Sequence, residues 1–74
     1  MPNNSDVLHH KIKAARNHAK MTQQQLADVL DVSRPAVSLW ESNDPEVRNE
    51  PTRTRLRKLA IITGAPLHWL MDDN

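Results

Sequence analysis

The residues able to do chemistry in this 74-residue chain are mostly cations. Lys11, Lys13, Arg16 and Lys20 fall within one stretch that has no acid, and Arg53, Arg55, Arg57 and Lys58 fall within a second. Asp44, Glu46 and Glu50 collect between them, and Asp72 and Asp73 stand near the end. Two basic clusters parted by an acidic segment can form a footprint for a polyanion, or they can be two solvated faces. The net charge of +1 does not separate these readings. Catalysis finds little to use. With no cysteine there is neither a thiolate nor a disulfide. His9 and His10 are adjacent, His18 follows two turns later, and His68 stands far away; together they match no metal-ligand spacing. The pattern places no pair of carboxylates and no nucleophile beside a base. One glycine excludes a phosphate-cradling loop, and two Trp with no Phe or Tyr nearly exclude base-stacking platforms. An enzyme is therefore not expected, nor is a metal, a cofactor or a small-molecule ligand. No apolar run approaches the roughly 18–20 residues that cross a bilayer. The start of the chain lacks the apolar stretch of a signal peptide, so a cytoplasmic protein without membrane contact is expected.

The elements that must position these residues are helices. A chain this short buries only about 60% of its unfolded surface, so its core is thin. Residues 1–4 are polar and are expected to fray. From Asp6 to Ala19, Leu8, Ile12, Ala15 and Ala19 recur at helical spacing on one face, with Ser5 as the expected N-cap. Thr22 is followed three residues later by Gln25, a capping box, and Met21 and Leu26 flank it as a hydrophobic staple. A helix is thus expected from Gln23 to Leu30. A second start follows at once. Ser33 can cap, Val32 and Val37 form another staple, and Pro35 sits in the first turn, where its missing N–H costs nothing. Ala36, Val37 and Trp40 make the buried face of this helix. Asp31, Val32 and the cap are too short a connection to lay two helices antiparallel, so the chain must turn sharply, as in a helix-turn-helix unit.

Residues 42–51 are polar, hold two prolines and read as a loop. Thr52 caps a further helix with Leu56, Leu59, Ala60 and either Ile61 or Ile62 inward, which Gly64 ends. Pro66 opens a last short helix through Leu67, Trp69, Leu70 and Met71. The expected fold is all-α: one domain over residues 1–74, a compact five-helix bundle with a central helix-turn-helix at 23–41.

The stretch Gln23-Gln24-Gln25-Leu26-Ala27, continued by Val32-Ser33-Arg34-Pro35-Ala36-Val37-Ser38-Leu39-Trp40-Glu41, resembles the helix-turn-helix of the Cro/CI-type, lambda repressor-like family. Pro51, Leu56, Leu59-Ala60, Gly64 and Leu67-His68-Trp69-Leu70-Met71 resemble its fourth and fifth helices, so the likeness spans about residues 6–71. Three features depart from the family pattern. Asp31 stands where a turn glycine is usual, and Asn43 stands where another follows the third helix. Both residue types tolerate the left-handed region. The segment from Trp40 to Pro51 is also longer and more acidic than the family's.

The resemblance implies that the helix at 34–41 enters the major groove of double-stranded DNA. With Ala36, Val37 and Trp40 spent on the core, the outward positions are Ser33, Arg34, Pro35, Ser38 and Leu39. Arg34 can donate two hydrogen bonds to guanine O6 and N7, and Ser38 can bond a base or a phosphate. Leu39 can pack on a thymine methyl or complete the edge of the core, and Pro35 can touch a methyl or a sugar. Gln23, at the start of the helix that crosses the backbone, is a phosphate contact in the family. Ser33, Arg53 and Arg55 are further backbone candidates. The resemblance also implies a structural ion pair between Arg16 and Glu41, and a dimer contact near the last helix through Pro66, His68, Trp69 and Leu70.

The expected function is that of a sequence-specific repressor of phage or prophage type. It would bind a palindromic operator as a homodimer, within the cytoplasm of a bacterial host. Two other readings stay open: the antitoxin of a toxin–antitoxin pair, and a helical protein-interaction module without DNA binding.

Overall fold

A computed structural model of the protein describes residues 4–71. Five helices make up its regular structure: α1 (Asn4–His18), α2 (Gln23–Leu30), α3 (Arg34–Trp40), α4 (Arg53–Thr63) and α5 (Leu67–Met71). No strand occurs among the described residues. The fraying read for residues 1–4 lies, apart from Asn4, outside the described residues, as do Asp72 and Asp73. Because α1 already contains Asn4, Ser5 lies inside the helix and is not its N-cap. At the other end α1 stops at His18, and Ala19 closes the last turn through its N–H to the Ala15 carbonyl at 3.1 Å.

Local chemistry sets the starts of three helices. Thr22 Oγ1 accepts from Gln25 N at 3.0 Å while Thr22 N donates to Gln25 Oε1 at 2.9 Å, which completes the capping box of α2. Ser33 caps α3 by accepting from Ala36 N at 3.3 Å, and Thr52 caps α4 by accepting from Arg55 N at 3.2 Å.

The helix ends turn on left-handed residues, of which one is glycine. Asp31, at φ 57° and ψ 47°, ends α2. Its N–H reaches the Asp28 carbonyl at 3.3 Å, and the next N–H, of Val32, reaches back to Ala27 at 3.0 Å. That pair of bonds is a Schellman motif, and it reverses the chain into α3. α1 ends in the same way at Lys20, with φ 58°. Lys20 N bonds the Asn17 carbonyl at 3.0 Å and Met21 N bonds the Arg16 carbonyl at 3.1 Å. Gly64, at φ 79°, ends α4 with its N–H on the Ala60 carbonyl at 2.9 Å. Asn43, although its type tolerates this conformation, does not adopt it: Lys20 and Asp31 are the non-glycine residues with positive φ among those described. The chain leaves α3 by another route. Asp44 organises a turn, its Oδ1 accepting from Glu46 N at 2.9 Å and its carbonyl accepting from Arg48 N at 2.9 Å.

The core draws on every helix: Ile12 and Ala15 of α1, Leu26, Ala27 and Leu30 of α2, Val37 and Trp40 of α3, Leu56, Leu59 and Ala60 of α4, and Leu70 of α5. α2 packs on α3, and α4 and α5 close the other side. Ile61 is 82% exposed and Ile62 is half-buried, so Ile62 takes the inward place on α4. Each fully buried aliphatic side chain stabilises the fold by roughly 1.5–3 kcal/mol, so a core of this size leaves little surplus. Polar ties between helices therefore matter.

Candidate nucleic-acid interface

α3 divides its residues cleanly. Val37 and Trp40 are buried and Ala36 is half-buried, while Arg34, Pro35 and Ser38 are exposed and Leu39 is half-buried. Ser33, the capping residue, is exposed as well. The division follows from helical periodicity. Positions 36, 37 and 40 share one side, and 34, 35, 38 and 39 fall on the other. The two residues of that outer set with side-chain donors, Arg34 and Ser38, lie one turn apart.

An ion pair fixes this helix in the fold. Arg16 of α1 donates from Nε to Glu41 Oε2 at 2.7 Å and from Nη2 to Glu41 Oε1 at 3.0 Å. Both side chains are largely withdrawn from water, at 11% and 3% exposure. The remaining arm, Nη1, donates to the Met21 carbonyl at 2.8 Å. Gln23, half-buried at the first turn of α2, adds its Nε2 to Glu41 Oε1 at 3.2 Å. One carboxylate at the C-cap of α3 thus collects donors from α1 and α2. The hydrogen bonds that Arg16 donates to Glu41 raise its pKa above the ordinary arginine value; burial opposes this and the charge of Glu41 adds to it. The guanidinium therefore stays charged.

The basic residues of α4 are distributed around its first turns. Arg53 is exposed. Arg55 is half-buried, and its Nε is enclosed without a hydrogen-bond partner. No acid stands in the first turn of α4, so the positive end of the helix dipole is matched with cations.

α5 leans on α1. Lys11 Nζ donates to the Trp69 carbonyl at 2.7 Å and stands 5.5 Å from the centre of its indole ring. Pro66 and His68 are exposed, and Trp69 is 36% exposed. These three residues, with Ala14, His18 and Ala65, line an open groove of about 570 Å³. Leu70 differs from its neighbours. At 2% exposure it is a core residue, so a partner cannot touch it on the folded surface. The resemblance puts Leu70 in the dimer contact, and its spacing cannot correct that, because a five-residue helix has too few apolar positions to define a face.

A second tether escaped the sequence reading. His9 of α1, only 5% exposed, lies with its Nδ1 2.8 Å from Nη1 of Arg48 in the 42–51 loop. Asn49 N of the same loop donates to the Leu39 carbonyl at 3.3 Å. The long loop is thus fastened to α1 and to the end of α3. A lone cation among Asp44, Glu46 and Glu50 was the available signal, but nothing local names a partner 39 residues away. Among the described residues no group of three or more His, Cys, Asp or Glu is placed to hold a metal ion, and no helix is long and apolar enough to cross a membrane.

A family model described as Helix-turn-helix matches the chain over residues 12–70, from within α1 to within α5. Neither a search of curated proteins nor one of solved structures gives a match. With most of the chain inside the family model and the two helices of the motif turning at Asp31, the chain belongs to the Cro/CI-type helix-turn-helix family, a family of regulators that bind double-stranded DNA.

Proposed function

We propose that this protein is a sequence-specific transcriptional repressor of phage or prophage type, acting in the cytoplasm of a bacterial host. Residues 1–74 act as one DNA-binding domain, and two copies bind a palindromic operator. α3 lies in the major groove, with Arg34, Pro35, Ser38 and Leu39 against base edges. Gln23, Ser33, Arg53 and Arg55 meet the phosphates on either side. Gln23 keeps one amide hydrogen on Glu41 and turns the other to a phosphate, beside the orphan N–H groups that begin α2. Pro66, His68 and Trp69 form the contact between the two copies.

The observation that carries this reading is the division of α3. Its donors Arg34 and Ser38 are exposed one turn apart, while Val37 and Trp40 root the same helix in the core. A helix held so firmly has no structural need for an exposed arginine at its first position. The test is a selection of preferred duplexes from a random-sequence pool, followed by gel shifts over a range of salt. Recovery of an inverted repeat bound by two copies, with affinity falling as salt rises, is the expected result. Equal binding to all duplexes would leave an unspecific DNA binder, and a single unrepeated element would remove the dimer.

A further inference from the structure

The inference that follows rests on the major-groove placement of α3. That helix turns two rows of side chains outward. Arg34 and Ser38, four residues apart and both exposed, make one row. Pro35 and Leu39, again four apart, make the next, about 100° further round the axis. The first row can donate and accept hydrogen bonds. The second has no side-chain atom that can do either, and Pro35 lacks even its backbone N–H.

Leu39 would need no explanation if it belonged to the core. It is half-buried, yet among the described residues it is not one of the partly buried apolar side chains packed on the core, as Val32 and Ala36 are. Its backbone is nonetheless held firmly. The Leu39 carbonyl accepts from Ser42 N and from Asn49 N, each at 3.3 Å, so the long loop fastens the backbone of α3 at Leu39. Leucine in that place is presented at a fixed position beside Pro35.

An apolar row can recognise one feature of the major-groove floor, the C5-methyl group of a pyrimidine. We propose that Pro35 and Leu39 read C5-methyl groups. The preferred site then holds, next to the guanine that Arg34 faces, one or two pyrimidines whose methyl group is required. Thymine supplies that group, and 5-methylcytosine supplies it equally. Binding to a site with cytosine at such a position therefore responds to C5 methylation of the DNA.

The experiment starts from the preferred duplex obtained by selection with the whole 74-residue chain. If no preferred duplex emerges, the major-groove reading itself fails, and this proposal with it. With one in hand, each thymine is replaced in turn by uracil, which removes the methyl and nothing else. Burying one methyl predicts an affinity loss of about fourfold at one or two positions per half-site and none elsewhere. At such a position cytosine binds weakly, and 5-methylcytosine restores about fourfold. Leu39→Ala and Pro35→Ala, each checked for helix content by circular dichroism, lose the distinction between thymine and uracil at their own positions, whereas Arg34→Ala keeps it. Uracil accepted at every position by the unaltered protein overturns the proposal and leaves the helix-turn-helix reading intact. So does discrimination that survives both the Leu39 and the Pro35 change.

Discussion

Arg16 and Glu41, separated by 25 residues in the chain, meet through two hydrogen bonds of 2.7 and 3.0 Å and couple the end of α1 to the end of α3. The arginine also bonds the Met21 carbonyl, while its own carbonyl accepts from Met21 N. It therefore sits at the point where α1 hands the chain to α2.

Removing one partner of this pair leaves the other charged and withdrawn from water. Glu41→Ala and Arg16→Ala are each expected to lose about 3–5 kcal/mol of stability, while Arg16→Met combined with Glu41→Leu recovers much of it. Urea titrations of the four proteins measure this. Single changes worth under about 1 kcal/mol would show the pair to behave as a solvated surface bridge. The pH dependence has a definite sign. A folded pKa raised above the ordinary arginine value means that the Arg16 contribution is complete below that ordinary value and is lost only as pH climbs through the folded one. Arg16 thus adds no pH dependence to stability between neutral pH and about 10, which melts across that range check.

Two helix ends store backbone strain. Lys20 and Asp31 both hold left-handed φ without being glycine. Lys20→Gly and Asp31→Gly relieve the Cβ clash but free the unfolded chain, for a net gain of about 0.5–1 kcal/mol. The gain is larger at Lys20, since Asp tolerates this region better. Thermal midpoints should rise by a few degrees, and a fall at either site would show that the native side chain makes an interaction stronger than the strain.

Arg34→Ala tests base reading directly. Without its bidentate pair of hydrogen bonds, binding weakens by about 1–3 kcal/mol at one base pair per half-site, and other positions are untouched. Competition against duplexes mutated one pair at a time gives the answer. A uniform loss across all sequences would make Arg34 a phosphate contact.

Arg53 and Arg55 are proposed to meet phosphate. For each, substitution by Ala should reduce the slope of log affinity against log salt by about 0.9 for every phosphate no longer neutralised. A slope that stays unchanged in both variants would place the start of α4 away from the backbone.

Trp69→Glu keeps the backbone carbonyl that Lys11 holds and puts a charge on the α5 surface. Sedimentation should show loss of the two-copy complex on operator, with affinity down by more than about tenfold as the second half-site stops assisting the first. Retention of both would remove α5 from the contact between copies.

Much of this protein was legible locally. The start of α2 is written in Thr22, Gln25, Met21 and Leu26, and that of α3 in Ser33 and Pro35, because capping and stapling act within one turn of chain. The resemblance carried by residues 23–41 named the family for the same reason: a motif is a local pattern. Asn43 tolerates left-handed φ but does not require it, and a turn organised by Asp44 carries the loop instead. Lys20 went unnoticed because nothing in lysine favours left-handed φ; the bonds from its own and the following N–H to Asn17 and Arg16 do.

The sequence by itself determined where α2, α3 and α4 begin, which faces of α2 and α3 turn inward and that these two helices meet at an abrupt bend, since each depends on contacts a few residues long. Only the tertiary structure decided that Arg48 reaches His9, that Leu70 belongs to the core, and that the carbonyl of the half-buried Leu39 is tied to Asn49. These facts depend on how distant segments share space. A thin core lets a few polar ties between helices settle that arrangement, and no spacing along the chain records them.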